Sequence, residues 1–414
     1  MKILQICKKF PYPLKDGESI AITNLSKAMN ACGAEVSLLA MNTSKHYYSF
    51  SKIPAELSHY SSVQTVDIDN RIKLSAALVN LFSSKSFHIE RYYDRNFENK
   101  LTDILKHESF DVIQLETLYL TPYIDCIRAH SKAKIVMRSH NVEFEIWERL
   151  SSNEKNRIKK GYLALLTSRL KKFEVEQLSK VDAIVAITGR DLELYRKLGY
   201  RKEAMVLPIG IDLKDYPYNE SSFAKPLSLS FIGSLDWQPN MEGLLWFLNG
   251  PWKLLESTFS NLRFHIAGRN MPEELRKFQS NRVVLHGEVP DASAFISQHS
   301  VMLVPLLSGG GMRAKILEGM ALGKIVLSTR IGIEGIPVVN GEQAYIADTA
   351  EEFKSAIQYC IAQNGELKEM GRNAREFIGN NYDNLRLASN LVEFYHKICN
   401  LQPDKKEAEP VLIS

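Results

Sequence analysis

The residues whose types and spacing most clearly indicate a chemical role lie in one stretch, Val304 to Glu318, which reads VPLLSGGGMRAKILE. The apolar run Val301–Leu307 predicts a buried strand. Ser308 then leads into three consecutive glycines, after which apolar residues recur at helical spacing. Glycines allow a sharp turn and a close approach of the backbone to a ligand. The N–H groups at the start of the following helix, together with its dipole, would bind an anion.

Two cations stand at the beginning of that predicted helix. Because a helix dipole favours Asp or Glu there, Arg313 and Lys315 indicate that an outside anion, such as a diphosphate, offsets the repulsion. Glu318 would either form a surface ion pair with Lys315 or accept hydrogen bonds from the ribose hydroxyls of a nucleotide. Glycine-rich turns are also common in α/β proteins without phosphate sites, and the glycine spacing of the dinucleotide fingerprint is absent.

The composition indicates a globular protein with two domains. The 414 residues, 45% hydrophobic and 24% charged, suffice for two separate cores. A net charge of +4 is too small to indicate nucleic acid, although it suits an anionic substrate or membrane surface. Five widely spaced cysteines indicate a reducing compartment without disulfides or zinc. Because no apolar run predicts a signal peptide or a membrane span, we expect a cytoplasmic protein, or one at the inner face of a membrane.

Strand-like runs alternate with amphipathic helical stretches, which predicts parallel sheets flanked by helices. In the first half the predicted strands are Lys2–Cys7, Glu35–Ala40, Asp111–Leu115, Ile135–Arg138 and Ala183–Ile187, and the predicted helices are Ser19–Cys32, Phe97–His107 and Gly161–Leu178. In the second half the predicted strands are Leu227–Gly233, Arg263–Ala267, Val283–Leu285, Val301–Leu306 and Ile325–Ser328, and the last helix is Asn384–Ile398. The stretch from Leu207 to Pro226 predicts a hinge.

Short motifs follow one another in order through both halves. In the first half they are Phe10–Glu18 with its Asp16–Gly17 turn, Arg138–Glu143 around His140, Val181–Thr188 and Leu207–Asp212. In the second half they are Phe231–Asn240, His286–Val289 and Glu318–Gly323. Their order and spacing resemble those of family 4 glycosyltransferases, particularly the bacterial branch that builds cell-surface polysaccharides. The resemblance extends from Lys2 to about Tyr395.

The resemblance implies an α/β fold of the GT-B type, in which two Rossmann-like domains face a cleft. The first domain, 1–205, would be on the acceptor side, and the second, 206–383, would bind the nucleotide sugar. A C-terminal helix, 384–400, could pack back on the first domain, and 401–414 would be a polar tail. The implied reaction transfers a sugar with retention from a nucleoside diphosphate sugar to a glycan or lipid-linked acceptor, without a cofactor or a metal.

The resemblance also implies roles for individual residues. His140 would hydrogen-bond a hydroxyl of the donor sugar and stabilise charge at the reaction centre, although a lone histidine at a strand end can equally be structural. Glu143 would orient His140 or stand as a solvated residue at a helix start. The donor would be bound by Gly17, Gly233, Ser234, Gly287, Val289, Gly309, Gly310, Gly311, Met312, Arg313, Lys315 and Glu318.

Two departures from the family pattern bear on activity. Gly310 replaces the first glutamate of the Glu-x7-Glu signature, and Ser234 and Asn240 stand where the family has an arginine and a lysine. We expect Arg313 and Lys315, which follow the glycine-rich loop, to supply the positive charges that Ser234 and Asn240 lack. The missing glutamate leaves a non-catalytic subunit that binds a nucleotide or a glycan as an alternative. A nucleotide-sugar epimerase would need an acid–base pair that the sequence does not identify, and a dehydrogenase would need the G-x-G-x-x-G fingerprint.

Three other segments have both a chemical and a structural interpretation. Asp67-Ile-Asp69 is a D-x-D string without the context of a metal site, so we expect a solvated acidic turn. The basic helix from Lys155 to Lys172 would be a solvated face or a contact with anionic lipid. The polar and aromatic segment Ser84–Tyr93 would line an acceptor site or cover the core.

Overall fold

The computed structural model describes residues 1–14, 17–49, 52–71, 80, 83, 85–308, 312–363 and 365–400. Within these residues the chain forms two compact units. Unit 1 consists of Met1–Leu207 and of the chain from Leu385 onward, and unit 2 consists of Pro208–Asn384. Each unit has a parallel sheet flanked by helices, which confirms the predicted α/β class.

The strands of unit 1 are β1 (Lys2–Cys7), β2 (Glu35–Thr43), β3 (Ser62–Ile68), β4 (Val112–Glu116), β5 (Lys134–Ser139), β6 (Ala183–Ala186) and β7 (Glu203–Val206). The described strands pair in parallel in the order β3-β2-β1-β4-β5-β6-β7. The helices are α1 (Gly17–Ala31), α2 (Phe87–Glu90), α3 (Arg95–His107), α4 (Ile124–His130), α5 (Glu143–Asn153), α6 (Arg157–Leu178) and α7 (Gly189–Lys197). Short 3₁₀ helices lie at Ser44–His46, Ala55–Leu57 and Leu118–Tyr123.

The strands of unit 2 are β8 (Ser228–Ile232), β9 (Arg263–Ala267), β10 (Val283–Gly287), β11 (Val301–Val304), β12 (Ile325–Ser328) and β13 (Tyr345–Ile346). They pair in parallel in the order β10-β9-β8-β11-β12-β13 within the described residues. The helices are α8 (Gln238–Asn249), α9 (Pro251–Thr258), α10 (Ala292–Ser297), α11 (Ala314–Ala321), α12 (Ala350–Ala362) and α13 (Leu367–Tyr382), with 3₁₀ helices at Leu213–Asp215, Ser221–Ala224 and Glu273–Phe278.

Local sequence explains where several helices begin. The Asn156 side chain accepts hydrogen bonds from the backbone N–H groups of Ile158 and Lys159, so it caps α6. Thr349 and Glu352 form a reciprocal capping box at the start of α12. None of the helices in the described part of the chain is long and apolar enough to cross a membrane.

The last helix, α14 (Asn384–Cys399), lies in the core of unit 1. Its Leu391 and Tyr395 are fully buried and pack in one cluster with Ile3 and Cys7 of β1 and with Ile22 of α1. The side chains of β1 that point the other way, including Leu4 and Ile6, pack with α3 and α6. The sheet of unit 1 is therefore covered on both faces, as parallel sheets are.

The chain passes from unit 1 to unit 2 between Leu207 and Pro208, at the start of the predicted hinge, and the rest of that segment, to Pro226, belongs to unit 2. The backbone N–H of Ile211 donates to the Tyr382 carbonyl at 2.7 Å, and the Ile211 side chain is buried. Arg375 of α13 donates to the carbonyls of Tyr216, at 2.5 Å, and Leu213, at 3.2 Å. The part of the segment from Ile211 to Tyr216 is therefore hydrogen-bonded to the end of unit 2.

Candidate functional site

The turn after β8 is closed around a glycine. Gly233 follows the strand directly, and a Cβ at this position would come within 2.6 Å of Asn240 Nδ2. Asn240 is buried near the start of α8, and its Nδ2 donates to the Ser234 carbonyl at 2.9 Å. Only glycine therefore fits against the amide that closes the turn. This places Gly233 and Ser234 at the carboxyl end of a central strand of unit 2.

Lys315 reaches this turn from the second residue of α11. Its Nζ donates to Asn240 Oδ1 at 3.0 Å and lies 3.4 Å from the Ile232 carbonyl oxygen. It also lies 4.9 Å from the centroid of the Phe231 ring. Burial and then the charge of Arg313 lower the pKa of Lys315 to about 7. The Lys315 ammonium, at the start of α11, thus contacts Asn240, which stands where the family pattern has a lysine.

Arg313 lies immediately before α11 rather than in its first turn, because the helix begins at Ala314. The Arg313 side chain is buried, and its guanidinium carbon lies 6.0 Å from the centroid of the Trp237 ring. Ser308 donates from Oγ to Glu242 Oε2 at 3.0 Å, and Met312 packs at the edge of an apolar cluster. The predicted phosphate-loop residues Gly309, Gly310 and Gly311 lie outside the described residues.

Glu318 hydrogen-bonds a tyrosine rather than forming the surface ion pair. Its carboxylate accepts from the Tyr216 hydroxyl, and the charge of Lys315 acts on it from a distance. Burial raises the pKa of Glu318, while the Tyr216 hydrogen bond and Lys315 oppose that shift. Glu318 remains partly exposed. No sequence pattern identified Tyr216, because its segment has no helical or strand periodicity.

The motif His286–Val289, with the predicted donor-binding residues Gly287 and Val289, lies at the end of β10. Gly287 has φ +69°, a conformation that favours glycine, and its carbonyl accepts from the Gly268 N–H at 2.8 Å. Val289 packs against the same apolar cluster as Met312. His286 of this turn lies 3.0 Å, from Nε2 to Nδ1, from His265 of β9, a contact that the sequence did not reveal.

In unit 1, His140 follows β5 and contacts a buried carboxylate. Its Nε2 lies 2.7 Å from Glu116 Oε2 and 3.3 Å from Arg138 Nη1, and its side chain is 10% exposed. Arg138 Nη1 donates to Glu116 Oε2 at 3.0 Å. The described contacts therefore assign Glu116 of β4, not Glu143, to the histidine ring. The sequence signal for Glu116 was a carboxylate at the carboxyl end of a predicted parallel strand, next in the sheet to the strand of His140.

The other oxygen of Glu116 accepts from two buried glutamines. Gln5 Nε2 donates to Glu116 Oε1 at 2.6 Å, and Gln114 Nε2 donates to the same oxygen. Tyr60 and Tyr395 in turn donate from their hydroxyls to Gln5 Oε1 at 2.7 Å and to Gln114 Oε1 at 2.5 Å. Burial alone would raise the pKa of Glu116, but Arg138, His140 and Gln5 outweigh it and lower the pKa to about 2.

Glu143 begins α5 and is buried, so the interpretation as a solvated helix-start residue is wrong. Its Oε2 accepts from the Tyr119 hydroxyl at 3.0 Å, and burial raises its pKa although Lys8 and Tyr119 oppose the shift. The backbone N–H of Glu143 donates to Glu174 of α6 at 3.2 Å. Burial and then the charge of Glu143 raise the pKa of Glu174 to about 8.

The glycine of the Phe10–Glu18 motif lies in a helix and not in a loop. Gly17 is the first residue of α1, and the space around it is open, while Asp16 lies outside the described residues. Glu18 lies 3.5 Å from Lys8 Nζ and 3.3 Å from Lys9 Nζ. Burial lowers the pKa of Lys8, but Glu18 and Glu143 more than offset it and raise that pKa.

The remaining predicted segments lie elsewhere in unit 1. A cavity of about 520 Å³ opens between α2 and α6, and Ile89, Tyr93, Arg169 and Phe173 are among its lining residues. Five of the ten residues of Ser84–Tyr93 thus line a cavity, and Ser84 itself lies outside the described residues. Asp67 accepts from Asn42 Nδ2 at 2.8 Å and Asp69 from Arg71 Nε at 2.8 Å. In the described part of the chain, no group of three His, Cys, Asp or Glu side chains could hold a metal ion.

Comparison with known families gives two matches along the chain. The model described as Glycosyltransferase Family 4 matches residues 16–215, and the model described as Glycosyl transferases group 1 matches residues 226–363. An uncharacterized 44.6 kDa protein in the cps region of Klebsiella pneumoniae is 26% identical over 308 residues, 71% of this chain and 76% of that protein. An uncharacterized glycosyltransferase of Methanocaldococcus jannaschii is 23% identical over 319 residues, 70% of this chain and 76% of that protein.

Solved structures share the fold. Sucrose-phosphate synthase of Thermosynechococcus elongatus has a TM-score of 0.68 at 15% identity, covering 96% of this chain and 99% of that chain. Anabaena HepE in complex with UDP-glucose has a TM-score of 0.63 at 14% identity, covering 96% of this chain and 100% of that chain. At such identities the likeness establishes the GT-B fold alone. The two family models, which match one after the other along the sequence, show that the chain belongs to the family 4 glycosyltransferases.

Proposed function

We propose that this glycosyltransferase takes a nucleoside diphosphate sugar as donor in unit 2 and needs neither a metal nor a cofactor. The proposal rests on the contact between the Lys315 ammonium and Asn240 at the carboxyl end of β8. Nucleotides bind at the carboxyl ends of strands in Rossmann-like sheets. A diphosphate there would favour the charged form of Lys315, which burial and Arg313 now disfavour.

Arg313 and Lys315 would bind the phosphates of the donor, and Glu318 would bind its ribose. Departure of the nucleoside diphosphate leaves negative charge on the phosphates, and Lys315 and Arg313 stabilise it together with the N–H groups of the glycine loop. Glu318 accepts hydrogen bonds from the ribose hydroxyls, since the residue is partly exposed and the Tyr216 hydroxyl fixes its carboxylate by a hydrogen bond. Gly17, Gly287 and Val289 contribute backbone and apolar contacts to the donor.

His140 is proposed to act on the transition state. It hydrogen-bonds a hydroxyl of the donor sugar, an interaction that strengthens as positive charge develops at the anomeric carbon. The acceptor hydroxyl attacks from the face that the nucleoside diphosphate leaves, so that the anomeric configuration is retained. Two observations support this role. The segment around His140 resembles that of the family, and the His140 ring contacts the buried Glu116 carboxylate.

The acceptor is proposed to be a glycan or lipid-linked saccharide of cell-surface polysaccharide synthesis, at the cytoplasmic face of a membrane. A relative described as a protein of the cps region supports this assignment. HepE, a protein of the same fold, was solved with UDP-glucose, which supports a nucleotide sugar as donor. The exposed basic start of α6 supports contact with an anionic membrane, whereas the modest net charge gives no support for nucleic acid.

Incubation of the pure protein with a panel of UDP- and GDP-sugars tests the proposal. Hydrolysis or transfer of one donor is expected. His140→Ala should lower kcat for that donor about 100-fold, because one transition-state hydrogen bond is lost, and should leave donor affinity within a few-fold.

A wild-type kcat in a stable His140→Ala protein would remove His140 from catalysis. If no donor is turned over but nucleotides bind, the non-catalytic binding subunit, which the missing glutamate at Gly310 favours, is the correct function. A lower melting temperature with unchanged turnover per folded molecule would show a structural histidine. Donor affinity, kcat and the thermal midpoint are therefore measured on one preparation.

A further inference from the structure

All described polar contacts of His140 are made by one ring nitrogen. Nε2 lies 2.7 Å from Glu116 Oε2, and Arg138 Nη1 lies 3.3 Å from the same nitrogen. Among the residues that the structure describes, none hydrogen-bonds Nδ1 of His140. The two nitrogens of the ring are therefore in different surroundings, since Nε2 contacts Glu116 and Arg138 and Nδ1 has no hydrogen bond to the described residues.

The surroundings of Glu116 determine which nitrogen carries the hydrogen. Glu116 is completely buried, and Arg138 of β5 and His140 are the charged or titratable groups that act on it, while Glu143 of α5 acts on His140. Since its pKa is about 2, the carboxylate is ionised near neutral pH and can only accept hydrogen bonds. Nε2 must then carry a hydrogen to lie 2.7 Å from Oε2.

We infer that Glu116 is a positioning residue: it holds His140 in the Nε2–H tautomer and leaves Nδ1 as the atom that accepts a hydrogen bond from a substrate hydroxyl. The inference rests on the proposed role of His140 and names the atom through which that role is exercised. The second nitrogen of a histidine is set by the hydrogen bond of the first. Gln5, Gln114 and Arg138 fill the other acceptor positions of Glu116, so the carboxylate cannot turn away from the ring.

The tautomer can be read directly in the wild-type protein. Two-dimensional ¹H–¹⁵N correlation of the histidine rings distinguishes a protonated from an unprotonated nitrogen. His140→Gln identifies the His140 signals among those of the ten histidines. Above the pH at which the ring loses its charge, Nε2 should appear protonated and Nδ1 unprotonated. An Nδ1–H tautomer in the wild-type protein would overturn the inference.

Glu116→Gln should invert the tautomer, for a geometric reason. In the wild-type protein Oε1 accepts from two glutamine amides, whereas Oε2 accepts from one arginine N–H besides His140, so we expect the amide oxygen of the new side chain at the Oε1 position, with its NH₂ group beside Arg138. Its NH₂ group then faces Nε2 of His140 and requires an unprotonated nitrogen there. Neutral His140 would carry its hydrogen on Nδ1 and could no longer accept through it. We expect kcat for donor hydrolysis to fall about tenfold or more, with KM changed by less than threefold.

Glu174→Gln is the matched control. Glu174 is also completely buried in unit 1, but it contacts the start of α5 and Tyr195, and none of its described hydrogen bonds involves His140. The same chemical change there should leave the His140 tautomer as it is. A folded Glu116→Gln protein with an inverted tautomer and wild-type kcat would overturn the positioning role. If that variant does not fold, the wild-type tautomer still decides.

Failure of this inference can be told apart from failure of the proposed function. If His140→Ala retains the wild-type kcat, His140 is not catalytic whatever its tautomer. If His140→Ala loses activity while the wild-type ring is Nδ1–H, only the assignment of Glu116 and Nδ1 is wrong.

Discussion

A lysine ammonium that is buried beside an arginine holds its proton weakly, and Lys315 is in that position in unit 2. Its pKa of about 7 reflects burial first and the charge of Arg313 second. A nucleoside diphosphate would add negative charge near the ammonium and raise this pKa. Binding above pH 7 must then be accompanied by uptake of a proton.

The affinity of the protein for UDP or GDP should therefore fall between pH 7.5 and pH 9, by up to about tenfold per pH unit. In this range the charge of the diphosphate no longer changes, since the second pKa of a phosphate is about 6. Calorimetry in buffers of different ionisation enthalpy should show proton uptake. Lys315→Ala should weaken binding by about 1–3 kcal/mol and remove the pH dependence.

Lys324→Met is the control for that measurement. Lys324 is another buried lysine of unit 2, with a pKa lowered by burial to about 8, but its Nζ donates to the Asn219 carbonyl and to Ser222 Oγ. Its replacement should lower stability while the pH dependence of binding persists. Proton uptake that survives in Lys315→Ala would show that another group titrates.

At the scale of the element, α6 combines two functions of its basic residues. Lys171 lies 3.5 Å from Glu148, and Arg169 donates to the Asn80 carbonyl at 2.7 Å, so the middle of the helix packs on its own unit. Ile158 near its start is 86% exposed, and Lys155 and Arg157 lie beside it in the sequence. This exposed and basic first turn is the part of α6 that we expect to contact a membrane surface.

We expect the protein to sediment with vesicles that contain phosphatidylglycerol, and less with vesicles of phosphatidylcholine alone. Ile158→Glu should reduce sedimentation with the anionic vesicles, because it places a negative charge at the contact. Val339→Glu makes the same change at an apolar side chain of unit 2 that is 51% exposed, and it should have no effect. Equal losses in both variants would refute contact through α6.

The strands that the sequence predicted and those it missed differ in their place in the sheet. Lys2–Cys7, Arg263–Ala267 and Ile325–Ser328 are confirmed to the residue, since buried parallel strands are continuous apolar runs. β3 and β7 lie at the two edges of their sheet, and their polar or very short sequences carry no such run.

The site residues divide in the same way. The placement of Lys315 and Glu318 on one helix was predictable from a motif, because their neighbours in sequence determine it. Glu116 and Tyr216 were missed, because each acquires its partner from a residue distant in sequence. His140 meets Glu116 across 24 positions, and the Gln5 amide meets it across 111. Such contacts depend on strand order, which periodicity does not reveal.

At the scale of the whole molecule, the last helix supports the candidate site of unit 1. Tyr395 of α14 donates to Gln114, which donates to Glu116, the partner of His140. Tyr395→Phe leaves the buried Gln114 oxygen without its donor and should cost about 1–3 kcal/mol of stability. Hydrogen exchange should show the loss in unit 1 but not in unit 2.

Tyr382→Phe tests whether this effect belongs to the hydrogen bond. Tyr382 is a buried tyrosine of unit 2, and its hydroxyl makes no hydrogen bond among the residues that the structure describes. Its replacement should change stability by less than about 0.5 kcal/mol. Similar losses in the two variants would mean that ring packing, rather than the hydroxyl, is responsible.

The division of unit 1 into two segments also governs the order in which the chain can fold during synthesis. All strands of its sheet leave the ribosome first, but Leu391 and Tyr395, which fill one face of its core, emerge only after the whole of unit 2. Unit 2 is a single continuous stretch and can complete its core before unit 1 does. Until α14 has been made, part of one apolar face of the nascent first segment is uncovered, and Glu116 lacks the support that Tyr395 gives through Gln114.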